Sequence, residues 1–257
     1  MTGSGDSGDP RFAGIARLYG AEGLARLRDA HVAVIGLGGV GSWSVEALAR
    51  SGVGALTLVD LDEVCVSNMN RQLHALENTV GQLKAEALAA RIRLIHPDCR
   101  VTVLPTFFKK ANAEEILATR YDYVIDAIDG VAHKARLIGM CKQKGIPVIT
   151  CGAAGGKTDP AAVTIRDLTE TIYDPLMAFI RKRLRKWFQF PRGDRKFGVP
   201  CVFSTEQVAG TPPVACDIRE PGVRANCDYG LGAAAHVTGT FGLVAAGYVV
   251  NAIARGS

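Results

Sequence analysis

Two rhythms of apolar and polar positions alternate along the first 156 residues. The short apolar runs "HVAVIG", "ALTLVD", "RVTVLP", "YDYVIDAID" and "IPVITCG" read as strands. Between them lie longer segments with apolar residues at helical spacing: "GSWSVEALARSG", ending at Gly52, "GQLKAEALAARIRLIHP", stopped by Pro97, "NAEEILATR" and "VAHKARLIGMCKQKG". A further helix is predicted over 12–28, ahead of the first strand. Strands alternating with helices predict an α/β fold, a Rossmann-like, mostly parallel sheet with helices on both faces.

Past Gly156 the rhythm breaks. "AAVTIRDLT" and "VPCVFS" read as extra strands, "DPLMAFIRKRLRKWF" as a basic amphipathic helix, and 191–229 as largely loop. The final stretch, "GLGAAAHVTGTFGLVAAGYVVNAIA" over 230–254, is uncharged and long enough to span a membrane. The preferred reading is a buried C-terminal helix, because small residues dominate it and His236, Thr238, Thr240 and Asn251 interrupt it. The opening "MTGSGDSGDP" lacks the layout of a signal peptide and reads as a disordered leader. The chain thus divides into a leader, 1–10, a nucleotide-binding part, 11–156, and a second part, 157–257, of the same compact unit.

Composition narrows the class. With 48% hydrophobic and 21% charged residues the chain holds enough apolar mass for a core. The net charge of +5 is mildly basic and suits an acidic partner without naming one. Seven cysteines, irregularly spaced and without a C-x-x-C pair, argue against a zinc site and for a reducing, cytoplasmic setting.

Candidate chemistry begins at "VIGLGGVGSW", where Gly36, Gly38 and Gly41 stand at G-x-G-x-x-G positions with Gly39 between them. In a strand-to-helix turn such glycines let backbone N–H groups approach phosphate. Asp60, ending the second strand, suits a ribose hydroxyl and equally a loop cap, so the loop alone leaves NAD and ATP open. The following polar knot of Asn68, Asn70, Arg71 and Gln72, with Gly81 and Lys84, brings two cations near the loop, which suits a triphosphate. Asp126 and Asp129 stand at the carboxyl end of the fourth strand, over the same crevice as the glycine loop, and a carboxylate there suits Mg²⁺.

The ordered motifs "GLGGVG", "DLDEV" with "SNMNRQ", "VGQLK" and "DAID" resemble the adenylating enzymes of the ubiquitin-activating superfamily, which includes activators of sulfur-carrier proteins. The resemblance implies that ATP is attacked at its α-phosphate by a carboxylate. It implies that Gly36, Gly38, Gly39 and Gly41 cradle the nucleotide, Asp60 holds the ribose, and Asn68, Arg71 and Lys84 hold the phosphates. Asp129 would bind Mg²⁺, making Arg71, Lys84 and Asp129 the catalytic set. Gly130 replaces the Asn usual after that Asp. Further stretches, "RFAGIARLYG", "GAAGGKTDP", "DPLMAFIRKRLRK" and "CVFSTE", are similar to the tRNA threonylcarbamoyladenosine dehydratase family, from about Arg11 to the C-terminus. That resemblance implies an ATP-dependent ring closure on a modified base beside the anticodon, through a carboxyl adenylate. No NAD or zinc is then expected, and 157–257 would serve tRNA binding and homodimerisation.

Residues 181–196, "RKRLRKWFQFPRGDRK", hold eight Lys or Arg against one Asp, with Trp187, Phe188 and Phe190 interleaved. Read with the resemblance, Arg181, Lys182, Arg183, Arg185 and Lys186 contact tRNA; read alone, the segment is equally a solvated helix with aromatics facing a core. Cys227, near Arg224, is a candidate reactive thiol, although a small buried or incidental thiol is the preferred reading. In related dimers an N-terminal arginine reaches the partner's ATP; Arg11 and Arg17 are candidates for that role and equally surface residues of the first helix. Other readings of the same features are an activator of a ubiquitin-like or sulfur-carrier protein, an NAD-dependent oxidoreductase, and a non-catalytic RNA- or membrane-associated module. The choice of tRNAs, the product ring, a monovalent cation and a sulfur-relay or cysteine-desulfurase partner are left open by the residues.

Overall fold

The computed structural model describes residues 9–193, 195–207 and 231–256. Seven strands form one sheet in the order β3-β2-β1-β4-β5-β7-β6. The central five, β1 (His31–Ile35), β2 (Ala55–Val59), β3 (Arg100–Leu104), β4 (Tyr123–Asp126) and β5 (Val148–Cys151), are parallel, and β7 (Pro200–Ser204) continues them parallel to β5. Only β6 (Val163–Asp167) runs antiparallel, along the edge of β7. The sheet therefore runs on without interruption past residue 156.

Side-chain alternation sorts the core into two layers. Val32, Val34, Tyr123 and Ile125 face the layer formed by α1 (Ala13–Asp29), α2 (Gly41–Arg50), α3 (Lys84–Ile95) and α7 (Ala235–Arg255). Ala33, Ile35 and Val124 face α4 (Ala113–Ile116) and α5 (Val131–Lys144), with α6 (Pro175–Phe188) packed beyond on α5. Near-continuous apolar strands are what burial on both faces demands. Two elements differ from the sequence pattern. The first helix is two segments joined at Gly20, whose φ of 76° interrupts it. Asp9 and Pro10 belong to ordered structure, since the Asp9 side chain caps the turn Pro10–Phe12; residues 1–8 lie outside the described residues.

One side of the last apolar stretch packs into the core as α7. The helix is 21 residues long, with a mean hydropathy of 1.5 over its most apolar 18 residues, yet Val237, Phe241, Ala245, Ala246, Val249 and Ala254 are buried against α1 and α2. Polar ties fix its register: Ser44 Oγ donates to the Gly242 carbonyl at 3.0 Å, and Tyr19 Oη to Asn251 Oδ1 at 3.1 Å. The small residues permit close approach. A Cβ on Gly242 would lie 2.8 Å from Trp43 Cβ and 3.0 Å from the Ser44 nitrogen, and would overlap the Val40 carbonyl oxygen. Gly242→Ala is therefore expected to destabilise the protein by about 1–3 kcal/mol, the usual cost of overpacking. A lower midpoint in chemical denaturation checks this, and an unchanged midpoint would show that α7 does not bear on α2.

Candidate active site

The strand order reverses direction between β1 and β4, which opens a crevice at their carboxyl ends. The glycine loop, 36–41, leaves β1 on one side of this crevice and the segment 126–129 leaves β4 on the other. Gly36 has a φ of 91°, and a Cβ there would sit 2.7 Å from the Ala127 carbonyl oxygen, so the two loops abut through this glycine. A Cβ on Gly41 would overlap Gly36 itself, whereas Gly38 has nothing nearer than Gln72 Nε2 at 3.9 Å. The first and third fingerprint glycines thus serve the turn, and Gly38 faces open space. Gly39 lies against Thr238 of α7 and Arg71. No side chain caps the start of α2; the Ser42 N–H in its first turn closes back on the Gly38 carbonyl at 3.1 Å.

The residues after β2 form a network beneath this loop. Asp60 is buried; its Oδ2 accepts from the Leu37 N–H at 2.7 Å and its Oδ1 from the Asp62 N–H at 2.8 Å. Burial pushes its carboxyl above the ordinary range, against the pull of Lys84 and these two donors. Asp60 therefore fastens the glycine loop, and each oxygen keeps a second lone pair for a further donor. Lys84, buried at the start of α3, pairs with Asp62 Oδ2 at 2.9 Å. Asn68 is buried, and its Oδ1 closes its own turn by accepting from the Cys65 N–H. Arg71 donates from Nη1 to the Ser67 carbonyl at 2.9 Å and to Asn70 Oδ1 at 2.8 Å. The Arg71 carbonyl in turn accepts from Trp43 Nε1 and Thr238 Oγ1, so α2 and α7 both position it.

Across the crevice the two carboxylates closing β4 have separate fates. Asp126 points into the protein, fully buried, where it pairs with Lys134 Nζ at 3.1 Å and accepts from Thr150 Oγ1 at 2.7 Å. The reading of Asp126 as one of two carboxylates over the crevice is corrected: its side chain lies on the Val124 side of β4, buried against Lys134 of α5. Lys134, also fully buried, donates to the carbonyls of Asp126 and Ile128, and so grips the turn that displays Asp129. Asp129 is exposed. Among the described residues no group of three or more His, Cys, Asp or Glu is placed to form a protein-built metal cage. A lone accessible carboxylate at a phosphate crevice matches the donor set of Mg²⁺, which takes one or two carboxylates and completes its shell with water and phosphate oxygens.

Of the basic residues on α6, Lys182 and Lys186 are exposed, while Arg181 and Arg185 turn toward the protein. Arg181 Nη1 donates to the Leu168 and Thr171 carbonyls and to Thr171 Oγ1. Arg185 Nε donates to the Pro191 carbonyl at 3.1 Å, with its guanidinium over the Phe197 ring. Arg11 is held by Asp9 at 2.8 Å and Asp98 at 3.6 Å, whereas Arg17 is exposed on α1 without a hydrogen bond or ion pair to the described residues. Cys227 and Arg224 lie outside the described residues.

Sequence reasoning missed Lys134, Trp43, Thr238 and His74. The spacing from Asp126 to Lys134, one turn into the next helix, was the available signal for the first; the others depend on tertiary contacts. His74 is buried, and neither ring nitrogen has a hydrogen-bond partner among the described residues. Burial, helped by the nearby Lys84 charge, lowers its pKa to about 4.

Comparison with known proteins places this crevice in a family context. The model of the ThiF family matches residues 12–255. The tRNA threonylcarbamoyladenosine dehydratase of Haemophilus influenzae is 48% identical over 97% of this chain and 95% of its own. That of Escherichia coli is 49% identical over 96% of this chain and 94% of its own. A solved structure of the E. coli tRNA N6-threonylcarbamoyladenosine dehydratase in complex with ATP superposes with a TM-score of 0.85 at 47% identity, covering 96% of this chain and 94% of that one.

Two outcomes are expected from the buried groups. Lys134→Met leaves Asp126 buried without its cation and should cost about 3–5 kcal/mol, read as a fall in denaturation midpoint; a shift under a third of that would show the pair is not isolated from water. His74, with a folded pKa near 4 against 6.5 in the unfolded chain, resists protonation in the native state. Its contribution is complete above pH 6.5 and declines as pH falls toward 4, by about 3 kcal/mol in all. Stability measured at pH 7 and pH 5 should therefore differ less in His74→Asn than in the parent protein.

Proposed function

The chain belongs to the ThiF family, and from that premise we propose that it uses ATP to adenylate the free carboxylate of threonylcarbamoyladenosine in tRNA and closes the side chain into a ring with net loss of water. The observation that carries this reading is the 48–49% identity, over nearly the whole chain, to two tRNA threonylcarbamoyladenosine dehydratases. The geometry supports it: a glycine loop with open space at Gly38 stands opposite an accessible carboxylate and beside Arg71 and Lys84.

In this mechanism a substrate carboxylate oxygen attacks the α-phosphate, and the bond to the pyrophosphate oxygen breaks. The side chain's own nitrogen or oxygen then attacks the activated carbonyl, and AMP leaves with the former carboxylate oxygen. Because the nucleophile is already tethered, high effective molarity replaces an enzyme nucleophile. Gly36, Gly38, Gly39 and Gly41 shape the phosphate cradle, and Asp60 holds both the loop and the ribose. Asn68, Arg71 and Lys84 steady the phosphates and offset charge as it shifts toward the leaving group. Lys84 would share its ammonium between Asp62 and phosphate. Asp129 is the residue to hold Mg²⁺, which would supply further charge neutralisation.

Lys182 and Lys186, exposed on α6, together with Arg183 beside Trp187, are the α6 residues proposed to meet tRNA; Arg181 and Arg185 turn inward and donate to main-chain carbonyls. A homodimer is part of the same reading, supported by the apolar exposure of Leu18, Leu243 and Tyr248 along α1 and α7. Arg17 is then the arginine available to reach a partner's site. The free thiols of Cys65, Cys99, Cys141, Cys151 and Cys201 suit a cytoplasmic setting. No step calls on Cys227, a monovalent cation or a sulfur-relay partner.

Incubation with ATP, Mg²⁺ and tRNA bearing the linear modification should release AMP and remove the mass of one water from the nucleoside. Arg71→Ala should lower AMP formation about 100-fold or more, as removal of a charge-stabilising donor does. AMP formation that requires a small protein with a Gly-Gly tail, or NADH binding without ATP turnover, would overturn the reading. Full activity in Arg71→Ala would overturn the site.

A further inference from the structure

α6 has two unlike sides. Met177, Ile180 and Leu184 are completely buried in the layer shared with α5. Phe188 packs over Gly139, and Phe190 meets Phe197 at 4.9 Å between ring centres. Phe179 and Trp187, by contrast, are 41% and 40% exposed. Each has a cation over its ring: Lys182 Nζ lies 5.8 Å from the Phe179 centroid, and Arg183 Cζ lies 5.0 Å from that of Trp187. Arg136 of α5 also comes over Trp187, at 5.8 Å.

Phe179, Arg183 and Trp187 recur every fourth residue, with Lys182 and Lys186 in the adjoining row, so they share one flank of the helix. The two rings are separated by about 12 Å of helix rise. Arg136 stands on α5, the helix that begins at Val131, two residues after Asp129.

We propose that this flank is a stacking site for unpaired bases of the tRNA loop. Phe179 and Trp187 receive base faces, and Lys182, Arg183, Lys186 and Arg136 take the adjoining phosphates. The proposal rests on tRNA being the substrate. Unpaired bases are the occupants that suit it, because every base offers a π-face to an aromatic ring or a guanidinium plane while its backbone needs cations beside it. An anionic membrane fits less well: the apolar side of α6 is already buried, so only two rings, each beside a cation, remain for lipid. Arg136 lies outside the basic run of α6 and joins the interface only through the fold.

The test uses the intact protein with modified tRNA and ATP. Trp187→Ala and Phe179→Ala should each raise KM for tRNA about tenfold, equivalent to about 1.4 kcal/mol. The kcat at saturating tRNA and the affinity for ATP should stay at the parent values, and Trp187→Phe should retain most of the tRNA affinity. Lys182→Gln with Lys186→Gln should flatten the salt dependence of tRNA binding. An unchanged KM in the Trp187→Ala, Phe179→Ala double variant would overturn the stacking site, as would lost binding to anionic vesicles with tRNA binding intact. If the parent protein itself makes no AMP with modified tRNA, the proposed function fails; if it does and the double variant matches it, only the stacking site fails.

Discussion

The pairing of Lys134 with Asp126 is the interaction on which the rest of the crevice depends. Two opposite charges with no solvent exposure are costly to bury, and their attraction offsets that cost only when the remaining donors and acceptors are met. Here they are met by Thr150 from β5 and by the carbonyls of the turn after β4. The pair therefore joins a helix, two central strands and the loop displaying Asp129 in one network. Ala127, inside that turn, is the surface on which Gly36 rests. The position of the phosphate loop on one side and of the accessible carboxylate on the other are consequences of one lysine ammonium group.

The same economy governs the other wall. Asp60 and Arg71 are both occupied by main-chain partners before any ligand arrives. Their first role is to hold the loop and the polar knot in shape, so that binding does not have to order them. Trp43 and Thr238, donating to the single carbonyl of Arg71, extend this support to α2 and α7.

Much of this organisation was legible in the residues. The five parallel strands announce themselves because both their faces are buried, and the glycine loop, Asp60, Arg71 and Lys84 are ordered by motif. What was not legible depended on phase or on partners distant in sequence. Asp126 and Asp129 are the same residue type in one short motif; only the inward register of Asp126 separates them. Arg181 and Arg185 look like Lys182 and Lys186 in a basic run. Yet Arg181 stands one turn from both Met177 and Leu184, a helical phase that could have assigned it to the inner side. The last apolar stretch has the composition of either a membrane span or a core helix, and only the surface it meets, at Trp43 and Ser44, distinguishes them.

That last contact has a consequence for how the molecule comes into being. Ser44 and the Gly242 carbonyl it bonds are separated by 198 positions, and α7 buttresses the very helix that begins at the glycine loop. Bringing these two ends together carries an entropic cost that grows with the logarithm of the loop's length. On the ribosome, the phosphate loop emerges long before its buttress has been translated. Nucleotide cannot be held in the finished cradle before α7 has been made, which couples the first moment of ATP binding to synthesis of a helix about 200 residues beyond the glycine loop.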